Sequence, residues 1–568
     1  MWRRWFIKWR RHSVKKYNRD IDPDEIFLDS SNLPKHNLDQ FEGQIEKPIS
    51  FLSLFSIGIF FVIVILIFGF RIWELQITKG SAYALRSENN RLRETLVFAD
   101  RGLILDRNQK VLAENIISQE EEFTLRRYNS KPGVSSLIGY LKYPQKDKMG
   151  FYYNEVLDGK AGLEKYYNDE LSGQNGLRIV EVDAVGAIQS SSTIRAPQNG
   201  KNLVMTIDSE LQTQAYETMD DLANRVGFGG GAMMMMDITN GEVLAAVNYP
   251  EYSSQVLTDG DNTKLINSYL TSKNKPFLNR LTDGLYTPGS IVKPLMALSG
   301  LNEKIIDPLQ NFYSSGQLVV PNPYDKTKPS IFKDWKAHGY VDMREAIAVS
   351  SNEYFYRLGG GYEPDEQVGL GIGRINEYMK MFGINQPVAD SFFSGAAGIV
   401  PSPDWKALNF KDGVWRLGDT YNTSIGQYGF QVTPIIMLRT VAGIANNGKI
   451  VNPKILIDEE TKWNQNWNIL PSAFQVVKEG MRQGAVSGVA QALNFPEVAI
   501  AAKTGTAEID EGKIKVNSWV MGYFPYEKPH YAFVMMMEKG PRSNTIGASS
   551  VMSEIIKWII LYRPEYLK

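Results

Sequence analysis

In the stretch Tyr286-Thr287-Pro288-Gly289-Ser290-Ile291-Val292-Lys293-Pro294, a serine hydroxyl and a lysine amine stand three residues apart. On a helix, positions i and i+3 share one face, so the two groups can meet. Pro288 and Gly289 can make the turn that starts such a helix. Ser290 then sits at the helix N-terminus, where free N–H groups favour developing negative charge. This is an arrangement for a serine nucleophile with a lysine base. Spacing alone is weak, because Ser13/Lys16, Ser272/Lys275 and Ser330/Lys333 share it. Context separates them. Ser13 lies in a basic tail, Ser272 in a polar loop, and Ser330 follows Pro329. Ser290 opens an apolar helical run to Leu301.

Two further stretches carry chemistry. Ser350-Ser351-Asn352 falls within a helix expected over 342–359. Lys503-Thr504-Gly505-Thr506 lies on an expected strand. Alternation turns Lys503 and Gly505 to one face. Gly505 brings no side chain, so that strand can approach a neighbouring helix closely.

The 568 residues suffice for about three domains of ordinary size, and 43% hydrophobic content is that of a globular protein. A net charge of −1 gives no support to a nucleic-acid partner. The absence of cysteine excludes disulfides, a thiol nucleophile and thiolate metal sites. The four histidines show no metal spacing.

Residues 1–47 read as a basic tail and a polar linker. Eight basic residues precede position 20, with Trp2, Trp5, Phe6 and Trp9 among them. An interfacial segment on anionic lipid and a solvated basic tail fit equally. No charged residue occurs from 48 to 70, and about 20 such residues span a bilayer. The cationic tail places it inside and residues 71–568 outside.

Residues 71–200 contain no nucleophile–base pair and read as a spacer and interaction module. A helix is expected over 81–97, and another from Gly162 to about Leu171. Leu103 and Leu105 are expected to share a core-facing side of a strand. From 201 on, strands and helices strengthen: a strand at 203–207, a helix capped by Asp208, a hairpin about Asn240-Gly241 and strands near 500–508, 515–525 and 531–538. Met233 to Met236 read as core. An antiparallel sheet covered by helices is expected, an α+β fold.

Ser-x-x-Lys, Ser-x-Asn and Lys-Thr-Gly in this order are the set of penicillin-binding proteins and serine β-lactamases. From about residue 80 the chain resembles the class B penicillin-binding proteins. Arg101-Gly102, Asp106-Arg107 and Gly162-Leu163-Glu164 are similar to motifs of that family's elongated pedestal (dimerisation) domain. Asp334-Trp335-Lys336-x-x-Gly339 and Trp415-Arg416-Leu417-Gly418-Asp419-Thr420 resemble its elongation-type members. Two departures stand out: Tyr428 follows Gly426-Gln427, where the family usually has Gly, and Ser518-Trp519 stands where a His is common.

The resemblance implies a D,D-transpeptidase that cross-links peptidoglycan stem peptides, without metal or cofactor, and is acylated by β-lactams. Ser290 is the implied nucleophile and Lys293 its base. To act near neutral pH, Lys293 must be partly desolvated or near another cation, which Lys503 could supply; Lys503 also attracts the substrate carboxylate, with Thr504 and Thr506. Gly505 gives the close approach, Ser350 relays a proton, and Asn352 binds the donor amide. The backbone N–H groups of Ser290 and Thr506 form the implied oxyanion hole. A SEDS-family glycosyltransferase is the implied membrane partner. The other readings are a division-type member, a mainly non-catalytic activator of that polymerase, and a β-lactam sensor or β-lactamase.

Overall fold

The computed structural model describes residues 50–568 apart from 149–151, 183–187, 323, 324, 326, 389, 390, 465, 511 and 513. The basic tail and linker lie outside the described residues. The chain divides into two units, residues 1–92 and 93–568.

In the first unit, helix α1 spans Phe51–Trp73. Ser50 caps it, accepting from Ser53 N–H, so the helix starts three residues after the expected boundary. It runs past the charge-free stretch through Arg71, because backbone bonding continues where the side chains change. At ~1.5 Å per residue its 23 residues cover the ~30 Å hydrocarbon core. The apolar span, with its π-helical extension, is Phe51–Thr78, and none of it is buried. The helix expected over 81–97 is a correction: helix Gly80–Arg91 gives way to strand Leu92–Val97.

In the second unit, the early strands order Leu203–Val204, Ile104–Leu105, Val111–Ile116, Leu125–Tyr128 in one sheet. Here the expected parity is inverted. Ile104 and Asp106 are buried, whereas Leu103 and Leu105 are half-buried. Asp106 turns inward to accept the Ser209 hydroxyl at 2.6 Å. The helix expected from Gly162 to Leu171 is broken into Gly162–Tyr166 and Asn168–Ser172. The Arg101 guanidinium takes the Glu164 carbonyl at 2.8 Å, a carbonyl a continuous helix would use itself.

Helix α2 (Ser209–Val226) begins at its expected cap, Asp208, which accepts from Glu210 and Leu211 N–H. The central sheet has strands β1 (Gly230–Asp237), β2 (Val243–Tyr249), β3 (Ala501–Glu508), β4 (Lys515–Phe524) and β5 (Tyr531–Pro541). Their order is β2-β1-β5-β4-β3, and every neighbouring pair is antiparallel. Met234 and Met236 face one core, Met233 and Met235 the other. This period-2 split is what a strand buried on both faces requires. One core lies against α2 and the C-terminal helix. The other holds α3 (Lys293–Asn302), α4 (Met343–Val349), α5 (Asn352–Gly360), α6 (Pro434–Ala445) and α7 (Pro471–Val486). The C-terminal helix is α8 (Ala548–Tyr562). The site forms where α3, the α4–α5 junction and β3 meet.

Candidate active site

Ser290 lies in a 3₁₀ turn, Gly289–Val292, that runs directly into α3. Lys293 N–H bonds the Ser290 carbonyl at the junction. In a 3₁₀ turn positions i and i+3 eclipse, so this geometry aligns Ser290 with Lys293 more directly than an α-turn would. Gly289 has φ +57, and a Cβ there would sit 3.0 Å from the Thr506 carbonyl oxygen. Gly505 answers from β3: a Cβ there would meet the Pro288 carbonyl at 2.8 Å. Two glycines thus let the Ser290 turn and the Lys-Thr-Gly strand touch backbone to backbone.

The expected helix over 342–359 is interrupted at the second motif. Ser350 ends α4 in the left-handed region (φ 61, ψ 41), and Ser351 caps α5 by accepting from Tyr354 N–H. The break has a chemical consequence. It points both the Ser350 carbonyl and its hydroxyl at buried amines. Lys293 Nζ donates to the Ser350 carbonyl at 2.8 Å and to Asn352 Oδ1 at 2.7 Å, and lies 3.4 Å from Ser350 Oγ. Lys503 Nζ donates to Ser350 Oγ and to the Thr504 carbonyl, both at 2.8 Å. Ser350 therefore joins two lysines, one from α3 and one from β3. The half-buried Ser290 is not among the hydrogen-bond partners of Lys293. Thr504 is half-buried and Thr506 exposed.

Both amines are sealed from water, Lys293 at 0% exposure and Lys503 at 1%. Burial pushes Lys293 down to about 7, opposed in part by the negative charge of Asp334. Burial, then the neighbouring charge of Lys293, holds Lys503 well below the ordinary lysine range. The expectation that Lys503 lowers Lys293 is corrected: burial is what lowers Lys293, and the charge effect runs the other way, from Lys293 onto Lys503. A neutral amine has two N–H bonds and one lone pair. At Lys293 the two carbonyl oxygens match the N–H bonds, which leaves the lone pair to accept a proton.

Several supporting residues carry no catalytic spacing in the sequence. Asp334 accepts from Ser351 Oγ (2.9 Å) and Glu353 N–H (3.0 Å), which fixes the α4–α5 break. Trp519, fully buried, donates from Nε1 to the Thr287 carbonyl at 3.0 Å, three residues before Ser290. Its neighbour Ser518 accepts from Ala548 N–H and so starts α8. Arg280 and Glu538 form a buried pair at 2.7 Å, and Tyr286 donates to the same carboxylate. Asp334 and Ser518-Trp519 stand out in the sequence only by family resemblance, whereas the Arg280–Glu538 pair joins segments 258 positions apart and no local pattern marks it. Among the described residues no cluster of three or more His, Cys, Asp or Glu is placed to hold a metal.

Comparison with known proteins adds independent findings. The family model "Penicillin binding protein transpeptidase domain" matches residues 231–560, and "Penicillin-binding Protein dimerisation domain" matches 119–205. The peptidoglycan D,D-transpeptidase MrdA of Acinetobacter baumannii is 30% identical over 426 residues, covering 70% of this chain and 60% of that protein. MrdA of Salmonella typhimurium is 29% identical over 469 residues, covering 76% of this chain and 72% of that protein. Among solved structures, Pseudomonas aeruginosa PBP2 in complex with WCK 5153 aligns with a TM-score of 0.67 at 27% identity, covering 84% of this chain and 98% of that one. PBP2 of Helicobacter pylori, solved in complex with MreC, shares the fold at a TM-score of 0.68 and 24% identity, covering 83% of this chain and 99% of that one.

Proposed function

The chain belongs to the penicillin-binding protein transpeptidases, and on that premise we propose a residue-by-residue account of peptidoglycan D,D-transpeptidation of the elongation type. The observation that carries it is the meeting of Lys503 and Lys293, the latter three residues after Ser290, on the Ser350 hydroxyl.

Ser290 Oγ attacks the carbonyl between the two terminal D-alanines of a stem peptide. The Lys293 lone pair takes the hydroxyl proton. Burial makes this feasible near neutral pH, since an ordinary lysine would stay protonated. The N–H groups of Ser290 and Thr506 receive the developing oxyanion. Lys503, with Thr504 and Thr506, attracts the terminal carboxylate, whose negative charge favours protonation of the buried Lys503 amine. Asn352 Oδ1 is engaged by Lys293, so its Nδ2 is the end left for the donor amide. Ser350 passes the proton to the departing D-alanine amine, and the acyl-enzyme forms. The amine of a second stem peptide then attacks the ester, which yields the cross-link and returns Ser290. β-Lactams enter by the same first step.

The reading extends to organisation. Residues 48–70 anchor the protein in the cytoplasmic (inner) membrane, with 1–47 inside, 71–200 as the pedestal and 201–568 as the catalytic domain outside. The long apolar helix α1 supports the anchor. A SEDS-family polymerase as partner follows from the family resemblance.

The test is to treat the purified protein with penicillin, map the adduct by mass spectrometry, and supply a stem pentapeptide with an amine acceptor. An adduct on Ser290 with D-alanine release and cross-linked product is expected. Release of D-alanine with hydrolysed donor only would favour a carboxypeptidase or β-lactamase-like role.

A further inference from the structure

Tyr428 is a non-glycine residue at φ 61, the left-handed region that tyrosine enters only at an energetic cost. Such outliers persist where surrounding structure over-determines them. Here the restraint is an aromatic cluster. Phe410 stacks on the Tyr428 ring at 5.9 Å and 9°, and Trp405 and Trp415 meet it edge-on at 5.8 and 6.0 Å. Lys406, bonded to Asp419 at 2.7 Å, lies 5.8 Å from the ring centroid. Trp415 is held in turn by Thr420 Oγ1 at 2.9 Å. Gly429 allows this contact, since a Cβ there would fall 2.3 Å from the Trp405 ring.

The other side of the same turn faces the nucleophile. The Gly426 carbonyl accepts Gly289 N–H at 2.9 Å, and a Cβ on Gly426 would lie 2.3 Å from the Gly289 carbonyl oxygen. Two further backbone bonds of 2.9 Å lace Tyr286 to Val432. The residue before Ser290 is therefore held by the turn that Tyr428 closes. The chain could have met this conformation with glycine, which enters it freely. It instead has a large ring clamped from three sides.

We propose that Tyr428 is a positioning residue for Ser290: its clamped ring fixes the Gly426 carbonyl, which fixes Gly289 and hence the direction of the nucleophile. The proposal rests on Ser290 being the nucleophile. Near-attack geometry is sensitive to shifts of about 1 Å, so a loosened turn slows acylation with little effect on the rest of the fold.

The test compares four variants of the full chain by the second-order rate of Ser290 acylation with fluorescent penicillin and by thermal unfolding. Tyr428→Asn and Tyr428→Gly tolerate the left-handed backbone but remove the ring. Tyr428→Phe keeps the ring. Phe410→Ala removes the stacked partner and leaves the turn residue intact. The Asn and Gly variants are expected to lose at least tenfold in rate, with Tyr428→Phe within twofold of wild type. Phe410→Ala removes one wall of the clamp and is expected to fall between Tyr428→Phe and Tyr428→Asn in rate. A Tyr428→Asn rate within twofold of wild type, or a Tyr428→Phe loss as large as that of Tyr428→Asn, would overturn the proposal. Wild-type protein labelled elsewhere than Ser290 would instead overturn the functional reading beneath it.

Discussion

Around Glu164, two guanidiniums close on one carboxylate; around Ser350, two amines close on one hydroxyl. Arg101 Nε and Arg126 Nε bond the two oxygens of Glu164 at 2.5 and 2.8 Å, all three side chains at 1% exposure or less. Arg101 places its remaining N–H groups on Leu157, Ser172, Glu164 and Asn168. The Ser350 cluster is as dry, yet no carboxylate is among the hydrogen-bond partners of its amines. A buried charge must be paired or must neutralise. The first cluster chooses pairing and becomes a fixed strut. In the second, burial lowers both amines, Lys293 to about 7, which suits Lys293 to the proposed role of base near pH 7. Burial alone is common to both, so it is the partner that decides between structure and chemistry.

The contrast is sharpest under deletion. Ser290→Ala should abolish the covalent penicillin adduct in intact-mass spectra while changing unfolding free energy by less than about 1 kcal/mol. Glu164→Gln should do the reverse. It leaves two buried guanidiniums without a counter-charge, a loss of about 3–5 kcal/mol by denaturant unfolding, with the acylation rate of the folded fraction unchanged. An adduct that vanished in Glu164→Gln at full folding would break the distinction.

The second consequence is pH. With Lys293 as the proposed base and its pKa lowered to about 7, acylation should fall roughly tenfold per unit as pH drops below that value. The linkage sign follows. The unfolded lysine holds its proton up to about 10.5 and the folded one only to about 7, so between these values the unfolded state binds the extra proton. The Lys293 contribution to stability therefore rises with pH across that window. Urea unfolding of wild type against Lys293→Met at pH 7 and 9 checks it: the difference between the two proteins should shift in favour of wild type at pH 9.

The smallest effects come from two glycines. A Cβ at Gly505 would press on the nucleophile turn, and one at Gly102 would fall 1.9 Å from the Lys201 carbonyl. Gly505→Ala should cost about 10- to 100-fold in acylation. Gly102→Ala should lower the melting temperature by several degrees and leave acylation of folded protein within about twofold. Stopped-flow labelling and calorimetry separate the two.

Local rules carried far along this chain. A charge-free run over a bilayer's length gave α1, the Asp208 cap and the alternation of β3, β4 and β5 fell near their expected places, and Gly505 was marked as a point of close approach. Each depends on residues within a few positions of one another, where spacing dictates geometry. The Ser350 break, the inverted parity at Ile104 and the split after Tyr166 could not be read that way. In each, a partner 50 or more positions away in sequence takes a backbone or side-chain group that local structure would have used: Lys293 on Ser350, Ser209 on Asp106, Arg101 on Glu164. Sequence alone thus supplied the reagents, a hydroxyl beside an amine and two more motifs in order. Folding decided their protonation, because desolvation is a property of everything packed around a group and of no single stretch of chain.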